Sequence, residues 1–193
     1  MKKVLLFAAF AAFAMTSVNA QDEDSSGFAK SDIYMSGTVG FSSASQGDFD
    51  SSSFDFSPSV GYMMTDNLAL EAGLSFSGDD NDGVETSTTG VAIGARYFMN
   101  PTSKFSLSIG ASLAFLSSTE SEEGFDDLDA SGMAFVIAPA INYWISDSWG
   151  LIANIAALQY TTAELDIEGA EARTEFGLNV DLSDINFGMV YKF

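Results

Sequence analysis

The 193-residue sequence has no cysteine, no histidine, only 3 prolines, and 7 lysine or arginine side chains against 27 aspartates and glutamates. Without cysteine there is no disulfide, no thiolate nucleophile and no lipoprotein anchor. Without histidine the usual general base near neutral pH is missing, as are the commonest zinc ligand and every Ser-His or Cys-His nucleophile pair. Paired carboxylates in the loops could in principle act as acid and base, but they need a rigid pocket. No enzyme activity, cofactor or metal is therefore expected. A formal net charge of -20 excludes a nucleic-acid binder, which needs a basic surface to displace counterions from phosphate. Beyond the amino terminus no apolar run reaches the ~18 residues of a membrane-spanning helix.

The amino terminus has its own pattern. Lys2 and Lys3 precede an apolar run from Val4 to Met15, and Val18-Asn19-Ala20 supplies small residues before the polar Gln21. This predicts a secretory signal peptide over residues 1–20, cleaved after Ala20. A run of this length spans only ~18 Å as a helix, too little for a hydrocarbon core of ~30 Å. Residues 21–30 read as a short polar lead-in without structure, and residues 31–193 as the folded domain.

From Ser31 onward the pattern has period two, which predicts strands. Ile33, Met35, Gly37, Val39 and Phe41 alternate with Tyr34, Ser36, Thr38, Gly40 and Ser42. Similar sets begin at Phe54, Leu68, Val91, Phe105 and Phe135, and a last one runs from Ile185 to Phe193. Another segment, Trp149 to Tyr160, is apolar on both faces, so its phase is open. Phe176 and Leu178 alternate in the opposite phase to Ile185 onward, which a bulge near Ser183 or a strand extension above a membrane would explain. Connections around Asp66, Asn100 and Asp147 are short turns. Those from Ser43 to Ser53, Gly78 to Thr88, Leu116 to Ala130 and Thr161 to Arg173 read as long loops carrying most of the charge.

Short turns on one rim and long loops on the other fit an all-β fold, an eight-stranded antiparallel up-and-down transmembrane β-barrel. The polar face supports lipid outside: it is Ser, Gly, Ala and Thr, too small for a soluble exterior but suited to a narrow lumen. Tyr62, Tyr97, Phe105, Tyr143, Trp149, Tyr191 and Phe193 lie on the apolar face near strand ends, where aromatic rings favour the membrane interface.

Residues 31–193 resemble the OmpX/OmpA-like family of small outer-membrane β-barrels. Asn186, Gly188, Tyr191 and Phe193 match the family's carboxy-terminal assembly signal, and Gly94 to Phe98 and Tyr143 to Asp147 resemble its strand-to-turn segments. The resemblance implies a Gram-negative outer membrane, insertion by the barrel assembly machinery, and no shared catalytic apparatus. It does not imply one function, since members include adhesins, small pores, structural proteins and subunits of larger assemblies. Unlike OmpA, this chain shows no peptidoglycan-binding domain.

Two groups of residues are candidate sites. Glu71, Arg96 and Lys192 are expected in the lumen near the short-turn rim, either as a charged gate or as a buried ion pair that fixes register. Asp55 and Asp184 share the lumen phase nearer the other rim. The acidic loops, with Asp79, Asp80, Asp82, Glu120, Glu122, Glu123, Asp126, Asp127 and Asp129, offer oxygen ligands of the kind calcium takes, or simply solvated charge. Asp79 to Gly83 fails the EF-hand spacing, because Gly78 and Thr89 would fill ligand positions. The expected function is a non-enzymatic structural or interaction protein, a surface-binding protein or an accessory subunit of a larger outer-membrane assembly. The alternative is a small pore for ions or small solutes. Expected partners are outer-membrane lipid and lipopolysaccharide, the assembly machinery, and a protein partner in the same membrane.

Overall fold

A computed structural model describes residues 27–47, 49–155, 157–167, 169–179 and 186–193; the signal-peptide reading of residues 1–20 and the placement of Asp184 lie outside them. The strands are β1 (Ile33–Gln46), β2 (Phe49–Met63), β3 (Leu68–Asn81), β4 (Val84–Met99), β5 (Phe105–Glu122), β6 (Leu128–Trp144), β7 (Trp149–Asn154), β8 (Ala157–Leu165), β9 (Arg173–Asn179) and β10 (Asn186–Lys192). All pairings are antiparallel. β1 to β6 pair in sequence, β6 pairs with β7 and then β8 along its length, and β9 and β10 pair with β8 and β7. β10 returns to β1 from Tyr34↔Lys192 to Thr38↔Gly188. The four short segments thus form two staves, and the sheet closes as an eight-stranded barrel. Closure is what gives backbone groups partners where no water reaches.

The seventh stave, of open phase in the sequence, changes face midway. Ala140 sits opposite Asn154, yet Ile137 sits opposite Leu158, so one extra residue is accommodated. Pro139 stands at the break, unable to donate, and its carbonyl accepts from Ile155 N at 3.2 Å. A bulge at such a residue leaves the ladder little to lose. As a result Gly150 and Ile152 are buried, whereas Tyr160 is exposed. The last stave also inverts: Phe176 and Leu178 are outward and exposed in β9, while Gly188 and Val190 are buried in β10.

Three of the four expected long loops are largely strand. β5 has 18 residues and β6 has 17, where a tilted strand needs only ~9–11 to cross a bilayer. Asp79, Asp80, Glu120, Glu122 and Asp129 therefore lie on paired strands, with Asp80 opposite Glu85 and Thr119 opposite Asp129. Only Asp82, Glu123, Asp126 and Asp127 of the named acids are in turns or loops. The alternating Ser, Thr and acidic residues leave both faces of the extension hydrated while the ladder satisfies the backbone. Its signal was Asp82-Gly83, at φ 53° and 88°, the pair of left-handed residues that a two-residue hairpin turn requires.

The lead-in expected to lack structure is also corrected in part. Phe28 is 3% exposed and belongs to a core of Tyr34, Met63, Ala69, Phe98, Ala140, Trp144, Ile152 and Val190. This core fills the lumen at the short-turn end. A single phenylalanine in a polar stretch has no periodicity, so its burial could not be read locally.

Candidate functional site

Alternation puts small and large residues to different uses along the lumen. At the short-turn end, the rings of Tyr34, Phe98 and Trp144 surround that of Phe28, with centroids 4.6, 4.7 and 4.8 Å away. Phe28 N donates to the carbonyl of Pro101 at 2.9 Å. Gly27, at φ 122°, sits so close to the same turn that a Cβ would lie 2.1 Å from the Pro101 oxygen. Lys192 Nζ donates to the Gly27 carbonyl at 2.5 Å, lies 3.8 Å from Asp32 Oδ2, and is 5.4 Å from the centre of the Trp144 ring. Lys192 thus clamps the amino-terminal segment in the barrel mouth.

Next to this apolar floor is a polar layer. Arg96 Nε donates to Glu71 Oε1 at 2.9 Å, and the Tyr34 hydroxyl donates to the same oxygen at 2.7 Å. The Glu71 and Arg96 side chains are 17% and 13% exposed, so each charge depends on the other for most of its stabilisation. Gly110 makes room: a Cβ there would lie 3.1 Å from the Arg96 guanidinium carbon. Asn142, a residue the sequence reading did not single out, donates to Ser108 Oγ at 3.0 Å and to the Ser106 carbonyl at 3.3 Å. Ser106 and Ser108, small residues on the lumen face, leave no water-filled passage at this level, being 3% and 2% exposed. Side chains of neighbouring strands fill that part of the lumen. Among the described residues three buried polar atoms lack a protein partner: Arg96 Nη1, Ser106 Oγ and Asn154 Oδ1. Buried groups of this kind are ordinarily met by ordered water.

Farther along, Ser36 and Ser59 share a hydroxyl hydrogen bond of 2.6 Å, and Asp55 is exposed on the lumen phase beside Gly40. On the acidic extension, Thr119 Oγ1 donates to Asp129 Oδ1 at 2.7 Å and Gly83 N donates to Asp80 Oδ1 at 3.2 Å. Arg173 pairs with Glu175 in the same region. The described residues contain no group of three or more acidic side chains placed to hold a metal ion.

The outer face divides into bands. The staves carry runs of outward apolar residues, such as Leu107, Ile109 and Phe115 on β5, and then change to polar ones such as Ser117 and Thr119. Phe41, Phe54, Phe76, Phe115, Tyr160 and Phe176, all exposed, mark the upper border; Tyr62, Tyr97, Phe105, Tyr143 and Phe193 mark the lower. Two aromatic borders around an apolar belt are the signature of a barrel in a bilayer. The closing strand has matching detail. At Gly188 a Cβ would lie 3.0 Å from the Gly37 carbonyl oxygen, so glycine lets β10 approach β1. Tyr191 packs on Trp149 and Phe193 with ring centroids 4.8 and 5.1 Å apart, and Asn186 pairs through its backbone with Asn154.

The family model described as an outer membrane protein beta-barrel domain matches residues 8–193. The chain belongs to this family. It is a protein of the Gram-negative outer membrane, and the short-turn rim accordingly faces the periplasm. Solved structures give the same fold at low identity. Neisserial surface protein A is 14% identical with a TM-score of 0.53, over 84% of this chain and 96% of that one. The N-terminal β-barrel domain of Pseudomonas aeruginosa OprF is 14% identical with a TM-score of 0.52, over 85% and 98%. A major outer membrane protein from Thermus thermophilus is 10% identical with a TM-score of 0.51, over 84% and 99%. No curated protein sequence matches the chain.

Proposed function

We propose that this outer-membrane barrel is a non-enzymatic interaction protein that meets its partner through the acidic extension of β3 to β6, as an accessory subunit of an outer-membrane assembly or as a surface-binding protein. The observation carrying this reading is the division of the molecule: side chains fill the periplasmic end of the lumen, while paired strands continue past the apolar belt and present carboxylates. A filled lumen suits a barrel whose work is done on its outside. A field of one sign attracts basic surfaces and repels other anions. Lipopolysaccharide phosphates would therefore approach it only through bridging divalent cations, whereas a basic protein face could bind directly. The assembly machinery is the partner in biogenesis, through Asn186, Gly188, Tyr191 and Phe193.

The first experiment is a mild-detergent pull-down of a tagged, natively expressed copy. A stoichiometric partner is expected. It should be lost when Glu120, Glu122, Glu123, Asp126, Asp127 and Asp129 are replaced by their amides, and its retention by that variant would remove the extension from the interface. A small pore is the second reading, favoured by the partial exposure of Arg96 and Glu71 and by Arg96 Nη1, a buried atom without a protein partner, which together call for water in the lumen beside them.

A further inference from the structure

We infer that Phe28 is the gate of a small cation pore, the closing element of a lumen that is otherwise hydrated down to Arg96. This rests on the pore reading above and adds its regulation and its solute class.

The barrier at the periplasmic mouth is an aromatic layer made by four rings. Three of them, Tyr34, Phe98 and Trp144, are fixed in the barrel wall on β1, β4 and β6. The fourth, Phe28, precedes β1 and reaches the lumen from a segment outside the wall. It is thus the ring that can leave without breaking the sheet. Of the polar contacts that hold the segment, Phe28 N to Pro101 O and Lys192 Nζ to Gly27 O lie beside the ring, while Lys30 N to Asp66 Oδ1 and Ser31 N to Met63 O hold its junction with β1. Apolar constrictions of this kind block ions by excluding water rather than by filling every gap. Beyond the ring the environment changes at once. Arg96 and Glu71 retain some exposure, and Arg96 Nη1, buried without a protein partner, is a group that water would ordinarily meet. Still farther out the exposed Asp55 and the acidic extension concentrate cations at the outer entrance. The Arg96 charge is offset by Glu71, so the lumen itself does not reverse that preference.

The test compares wild type, Phe28→Gly and Lys192→Gln as full-length mature protein in planar bilayers, each checked for folding by its faster migration without boiling. Lys192→Gln leaves the Phe28 side chain intact but removes one anchor of its segment, so it reports even if Phe28→Gly does not fold. The expected result is a nearly silent wild type, a rise of about tenfold or more in mean conductance for Phe28→Gly, as expected on opening an apolar constriction, a smaller rise for Lys192→Gln, and cation selectivity in both. Equal, steady conductance in all three would overturn the gate and leave the pore reading standing. Folded variants as silent as wild type would overturn both. Anion selectivity in the open variants would overturn the proposed solute class.

Discussion

At the scale of single residues, the lumen turns on Glu71 and Arg96. They lie on β3 and β4, where Glu71 is opposite Gly94 and Arg96 opposite Ala69, and the Tyr34 hydroxyl completes the site on the Glu71 carboxylate. Removing one partner leaves a mostly buried charge without compensation, so Glu71→Gln or Arg96→Met alone is expected to destabilise the barrel by about 3 kcal/mol. The double variant should be closer to wild type than either single one, since neither charge is then stranded. Urea unfolding in lipid vesicles measures all three, and additive losses in the double variant would show that the two side chains act independently. Placement of these residues in one phase near one rim was legible from alternation. That Tyr34, on the same small-residue face, joins them was not, because a tyrosine in a run of Ser, Thr and Gly carries no local indication of what it meets.

At the scale of elements, the hairpin of β3 and β4 decides how far the protein stands above the bilayer. Asp82 and Gly83 both have positive φ, and nothing lies near a Cβ built on Gly83, so the turn favours glycine for conformation rather than space. Gly83→Val is expected to cost about 1–2 kcal/mol at the turn, the penalty for a left-handed branched residue. The loss should stay local: protease cleavage near the tip should accelerate while unboiled migration of the barrel is unchanged. Protection equal to wild type would mean that the hairpin does not depend on this turn. The Asp-Gly pair was present in the sequence, but the acidic residues around it resembled a solvated loop. Composition describes what a segment touches, and a strand rising into water touches the same solvent as a loop.

At the scale of the whole molecule, the border of the membrane should fall between Val91 and Thr89 on the outward face of β4. Ile93 is 63% exposed on that face, an exposure that suits lipid and not water. Ile93→Arg is expected to cost ~2–4 kcal/mol, whereas Ser87→Arg, on the same face and strand but above the border, should cost ~1 kcal/mol or less. Equal costs, measured by reversible unfolding in vesicles, would place both residues in one environment and remove the assigned border. The same separation underlies the proposed interaction surface: what lies below the border is fixed by lipid, and what lies above it is free to recognise a partner.

The sequence by itself determined the period of two, the number of staves and the outward apolar belt with its lower aromatic border. These follow from local facts, since a strand alternates its faces and lipid selects apolar side chains on one of them. Tertiary structure decided what no local pattern contains. Pro139 and the extra residue beside it switch the face of the seventh stave through pairing with a neighbour. Phe28 finds its place only because Tyr34, Phe98 and Trp144, distant in sequence, converge where the barrel closes. The physical reason is that alternation is dictated residue by residue, whereas the filling of a lumen depends on which strands meet across it.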